Sequence, residues 1–68
     1  MIRTILYTDS GEAVTQVLLP PFKTQPKIII WGTRIFAWDK DNSQYMEAFA
    51  YAAFTESEMR NMGITPNN

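Results

Sequence analysis

Polar and apolar positions alternate in two early segments, residues 2–8 (IRTILYT) and 13–19 (AVTQVLL). Both are rich in β-branched and aromatic side chains and read as strands. Asp9, Ser10, Gly11 and Glu12 supply turn chemistry between them, so the pair predicts a hairpin. The alternation is imperfect, because Ile5, Leu6 and Tyr7 are consecutive, as are Val17, Leu18 and Leu19. Such runs imply that both faces of these strands are partly covered. Pro20, Pro21 and Pro26 then break the pattern, since each lacks an amide donor and biases its predecessor toward extended backbone. Residues 19–26 therefore read as a connector.

Residues 27–31 form a β-branched run ending at Gly32, and the strand pattern resumes over 33–38. A bulge or close backbone approach at Gly32 would make this one bent strand. Residues 39–43 (DKDNS) predict a polar turn. Beyond it, QYMEAFAYAAF is ambiguous: alanine, methionine and glutamate favour a helix, whereas the alternation of Tyr45, Glu47, Phe49 and Tyr51 with small residues favours a strand. The small–large alternation decides for strand over 44–54. Thr55 followed by Glu58 fits a capping box, which predicts a short helix over 56–62. Gly63 is expected in the left-handed position after it, with Met59, Met62 and Ile64 as the docking side, Pro66 as a stop and 65–68 as a frayed tail.

Composition changes this picture in one respect. A chain of 68 residues supports one domain, and a domain of that size buries only about 60% of the surface its unfolded chain exposes. With no cysteine or histidine, disulfides and the usual thiolate and imidazole metal ligands are excluded as staples. A 46% hydrophobic content then predicts self-association into a homo-oligomer or a sticky partner surface. The formal charge of −1, with signs interspersed, argues against a nucleic-acid partner and against an acidic DNA mimic. The apolar start is too brief for a signal peptide or membrane span, so the expectation is a soluble protein of a reducing cytosol with no membrane partner.

Candidate chemistry is sparse. The DKDNSQ turn opens like a calcium loop, with Asp39, Asp41 and Ser43 alternating, but Gln44 stands where glycine is needed and Ala50 where a bidentate glutamate belongs. No metal or other cofactor is expected. Without histidine or cysteine, and with serines and carboxylates scattered, no catalytic residue is assigned and the chain is not expected to be an enzyme. What remains is binding. Seven of the nine aromatics lie between Pro26 and Phe54, and the candidate ligand- or partner-binding set is Trp31, Arg34, Phe36, Trp38, Tyr45 and Lys27. Arg34 has two readings. It is a cross-strand ion-pair partner of Glu47, or an anchor for phosphate or carboxylate with aromatics to stack a base. Lys27 reads most simply as a solubilising charge near a sheet edge.

Pro26, Ile28, Ile30, Trp31, Gly32, Arg34 and Phe36, then a polar turn, then Tyr45, Glu47, Ala48, Phe49 and Tyr51, form a pattern that resembles small uncharacterised accessory proteins of tailed bacteriophages. The resemblance implies a context, a small protein acting in the host bacterial cytosol and inhibiting a host or anti-phage defence protein; it carries over no catalytic residue. The sequence thus predicts an α+β domain over 1–68: a mainly antiparallel sheet of four to five strands, able to curl toward a barrel, with one short C-terminal helix. Three functions fit. The first is a non-enzymatic inhibitor that binds a host protein, the second an oligomeric sponge for a nucleotide signal, and the third a phage structural or assembly protein.

Overall fold

The hairpin predicted at the start of the chain pairs β1 (Ile2–Tyr7) with β2 (Ala13–Leu19) in antiparallel register. Its turn is closed by the Thr8 amide donating to the Glu12 carbonyl at 2.7 Å and by the Glu12 amide donating to the Thr8 hydroxyl at 3.0 Å. The structure is a computed structural model and describes residues 1–21 and 24–66. Phe22 and Lys23 of the expected connector, and Asn67 and Asn68 of the expected frayed tail, lie outside the described residues.

Residues 27–38 are not one bent strand. They form β3 (Ile28–Trp31) and β4 (Arg34–Asp39), a tight hairpin in which Trp31 stands opposite Arg34. Gly32 is the first of the two turn residues. Its φ of +63° combined with a negative φ at Thr33 is the glycine-first arrangement that matches strand twist, so the residue read as a bulge is a hairpin corner. β4 then pairs antiparallel with β5 (Gln44–Glu47) across the expected polar turn.

The strand predicted over 44–54 stops at Glu47. The Ala48 amide still donates to the Ile35 carbonyl of β4 at 3.1 Å; beyond it the chain leaves the sheet and turns sharply at Ala52 and Ala53, whose φ values of 48° and 69° are both left-handed. A 2.8 Å bond from the Phe54 amide to the Tyr51 carbonyl closes this turn. The alternation of Tyr45, Glu47, Phe49 and Tyr51 with small residues predicted a strand, but after the turn Tyr51 and Phe54 pack together on the Met59 cluster beside Ala48.

Helix α1 (Glu56–Met62) starts where its capping box placed it. The Glu58 amide donates to the Thr55 hydroxyl at 3.1 Å and the Thr55 amide to the Glu58 carboxylate at 2.9 Å, which satisfies two of the unpaired groups at the helix start. Gly63 corrects the expectation of a left-handed cap, because its backbone is extended at φ −71°. Its lack of a side chain serves packing instead. A Cβ there would lie 2.7 Å from Cγ1 of Ile30 and 2.9 Å from Cγ2 of Ile28. This close approach lets Ile64 run parallel to β3, with its amide donating to the Ile28 carbonyl at 3.1 Å and its carbonyl accepting from the Ile30 amide at 2.8 Å.

The strand order is β2-β1-β5-β4-β3. The other pairings are antiparallel, as expected, but β1 and β5 are parallel, so the sheet is mixed, and it curls into a half-barrel. All five strands send side chains into one concave core of Leu6, Val17, Leu19, Ile29, Phe36 and Tyr45. A second core, Ile28, Ile35, Ala37 and Met59, lies between the convex face of β3 and β4 and helix α1. Met59 is fully buried there, worth about 1.5–3 kcal/mol.

Candidate functional site

The six residues singled out from sequence do not form one site. Phe36 and Tyr45 are 0% exposed and belong to the concave core. Tyr45 is also fixed by polar contacts, because its hydroxyl donates to the Pro26 carbonyl at 2.6 Å and accepts from the Gln25 side chain at 2.9 Å. Burial pushes its pKa up. Trp31 and Trp38 are half-buried against the same core, and Trp38 meets Tyr45 edge-on with ring centroids 4.9 Å apart. Lys27 is exposed, and its carbonyl accepts from the Trp38 amide at 3.0 Å.

Arg34 takes the ion-pair reading. It stands one strand over and diagonal to Glu47, and its fork engages the carboxylate through Nε to Oε2 and Nη2 to Oε1, both 2.8 Å. The guanidinium carbon also lies 5.6 Å from the Phe36 ring centroid. The hydrogen bond to Arg34 holds the Glu47 carboxyl below the usual range and raises the arginine. An arginine paired in this way no longer presents the fork that would grip a phosphate. The Asp39 carboxylate is likewise committed within its own turn. One oxygen accepts from the Asp41 amide at 3.0 Å and the other from the Asn42 side chain at 2.8 Å, which lowers its pKa. No group of three or more metal-ligating side chains occurs among the described residues.

Two surfaces stand out, and each borders residues of the set named from sequence: Arg34 at the first, Trp38 and Tyr45 at the second. The first is the loop after β5. Phe49 is 78% exposed, Ala50, Ala52 and Ala53 are exposed, and residues 48–54 carry no charge. The loop is braced from beneath, since Tyr51 and Phe54 pack on the Met59 cluster. Beside Phe49 lies a crevice of about 50 Å³ edged by Arg34, Glu47, Glu56 and Arg60. These charges are mutually satisfied. Arg60 pairs with Glu56 at 3.1 Å and donates to the Thr33 carbonyl at 2.9 Å. The result is an apolar projection with an electrically neutral rim.

The second is a cleft of about 340 Å³ beside the first half of β1. β5 pairs with β1 only at Leu6 and Tyr7, so Arg3, Thr4 and Ile5 have no strand on that side and face Gln25, Trp38, Ser43, Gln44 and Tyr45. The signals for both surfaces are faint in the sequence. Phe49 stands in the sequence as one member of an alternating run, and Arg3 as a single charge within the first strand pattern.

Compared with known proteins, the chain matches no family model, no curated protein and no solved structure. No helix among the described residues is long and apolar enough to cross a membrane.

Proposed function

We propose that this protein is a non-catalytic binding module that docks on a protein partner through Phe49, in keeping with the inhibitory role that the phage-like pattern implies. The observation that carries the reading is a large aromatic side chain left 78% exposed on a loop whose base is firmly packed. A solvent-exposed phenylalanine gains nothing for the isolated domain, whereas an aromatic anchor entering an apolar pocket, ringed by contacts that exclude water, is the usual centre of interface energy. The self-paired rim of Arg34, Glu47, Glu56 and Arg60 suits a protein surface of mixed charge. Holding the loop in a single shape also reduces the entropy lost on docking.

The test places photoreactive benzoylphenylalanine at position 49 or, as a control, at position 12 in bacterial lysate. The reading predicts a protein captured from position 49 alone, whose purified form binds the native chain and loses at least about tenfold in affinity to Phe49→Ala, roughly 1.4 kcal/mol. Capture of the same proteins from both positions, or of none, overturns it, as does equal binding by Phe49→Ala with an unchanged melting temperature.

A further inference from the structure

The cleft beside β1 has a chemistry of its own. Its lining includes one arginine, Arg3, and no carboxylate, in a chain whose net charge is −1. Of the three arginines, Arg34 and Arg60 are engaged by glutamates, whereas Arg3 forms no ion pair or hydrogen bond among the described residues. Among the described residues, the side chains of Thr4, Ser43 and Gln44 are equally uncommitted, and Gln25 uses one amide hydrogen, on Tyr45. Half-buried Trp38, steadied by its edge contact with Tyr45, supplies an aromatic surface, and Tyr7 a second.

We infer that this cleft is a binding site for a small anion carrying a planar ring, of the mononucleotide class. The free guanidinium of Arg3 takes the anionic group, Trp38 stacks the ring, and the hydroxyls and amides of Thr4, Ser43 and Gln44 read its polar edge. Each part follows from what the residue has left to offer: a guanidinium forks onto phosphate or carboxylate oxygens, and an indole face stacks any base. The volume falls at the lower end of the range for small-molecule sites, which suits one ring system with one anionic group. The gap in the sheet is what creates the space. β1 continues past the point where β5 has turned back at Ser43, whose φ of 54° marks the reversal. The site is separate from Phe49 and does not rest on the docking role proposed for it.

The experiment uses Trp31→Phe protein, so that Trp38 is the only fluorescent indole, titrated with adenosine and guanosine monophosphates, adenosine, inorganic phosphate and a short peptide with a free C-terminal carboxylate. The expected result is saturable quenching by a mononucleotide, with adenosine and phosphate each weaker. Arg3→Gln should reduce the affinity at least about tenfold, while Lys27→Gln leaves it unchanged. The inference is overturned if neither monophosphate perturbs Trp38 up to millimolar concentration, if Arg3→Gln binds as well as its parent, or if the peptide binds and the nucleotides do not. Isothermal calorimetry on the native chain measures the same affinities without substitution at either tryptophan. Because Phe49→Ala leaves the cleft intact, nucleotide binding by that variant distinguishes failure here from failure of the docking reading.

Discussion

The hydroxyl of Tyr45 on β5 donates to the carbonyl of Pro26 at 2.6 Å, tying the middle of the sheet to the segment that leads into β3. This bond pins the connector between the two outer strands of the half-barrel. Tyr45→Phe keeps the ring and its packing but leaves the Pro26 carbonyl and the Gln25 amide without a partner. The expected loss is about 1–3 kcal/mol in urea denaturation. An unchanged midpoint would mean that water replaces the phenol without penalty.

Ala52 and Ala53 occupy a tight turn with left-handed backbone at both positions, a conformation that favours asparagine and glycine. A left-handed L-residue costs roughly 1–2 kcal/mol. Replacing the pair by Ala52→Asn and Ala53→Gly should therefore stabilise the domain by about 1 kcal/mol after the entropy of the new glycine is subtracted. The denaturation midpoint checks this, and a fall in stability would reject the turn geometry.

Gly63 and Gly32 differ in what a side chain would meet. At Gly63 a methyl group collides with stiff, β-branched Ile28 and Ile30, so Gly63→Ala should lose about 1–3 kcal/mol through overpacking. At Gly32 nothing lies within 4 Å, and Gly32→Ala should cost only the backbone strain of its positive φ, about 1–2 kcal/mol. The second defect is repaired by a D-alanine and the first is not. Chemical synthesis of both peptides separates the two causes.

Acid should weaken the fold in a defined window. The carboxyl of Asp39 is lowered by the Asn42 side chain, that of Glu47 by Arg34 and that of Glu58 by the Thr55 amide. Each is held below its ordinary value of 3.8 for aspartate or 4.5 for glutamate. Their contribution is thus complete above those values and lost as the pH falls through the lowered ones. Melting temperature should stay level from neutral pH to about 5 and fall below about 4. Glu58→Gln, which keeps a capping side chain without the charge, should flatten the slope; an identical slope would remove Glu58 from the cause. Thr55→Ala should cost about 1 kcal/mol at neutral pH.

Much of the fold was legible because local chemistry and final structure agree. The first hairpin, the polar turn after Asp39 and the capped helix each carry their determinants within a few residues. What was not legible depends on distant partners. Nothing near β1 announces that its neighbour is β5, almost forty residues on, and a parallel pair leaves no turn signature. The Gly32 corner was misread because a glycine in a strand-like run signals a bulge as readily as a reversal. For the candidate surfaces the difficulty is sharper. Phe36 and Phe49 look alike as letters, yet one is 0% and the other 78% exposed, a difference decided by where β5 ends. Arg34 and Arg3 look alike as letters too, yet Arg34 is held by Glu47 and lies against Phe36, whereas Arg3 is exposed.

The bonds from Ile64 to Ile28 and Ile30 seal the outer edge of β3, yet that edge is made more than thirty residues earlier. During synthesis the Ile30 amide and the Ile28 carbonyl on that edge therefore stay uncovered until residue 64 is made and free to pair with them, as β1 waits for β5. Translation that stalls before residue 64 would release a chain bearing an unprotected template for cross-strand aggregation. Chaperones and proteases would meet that product before any partner did.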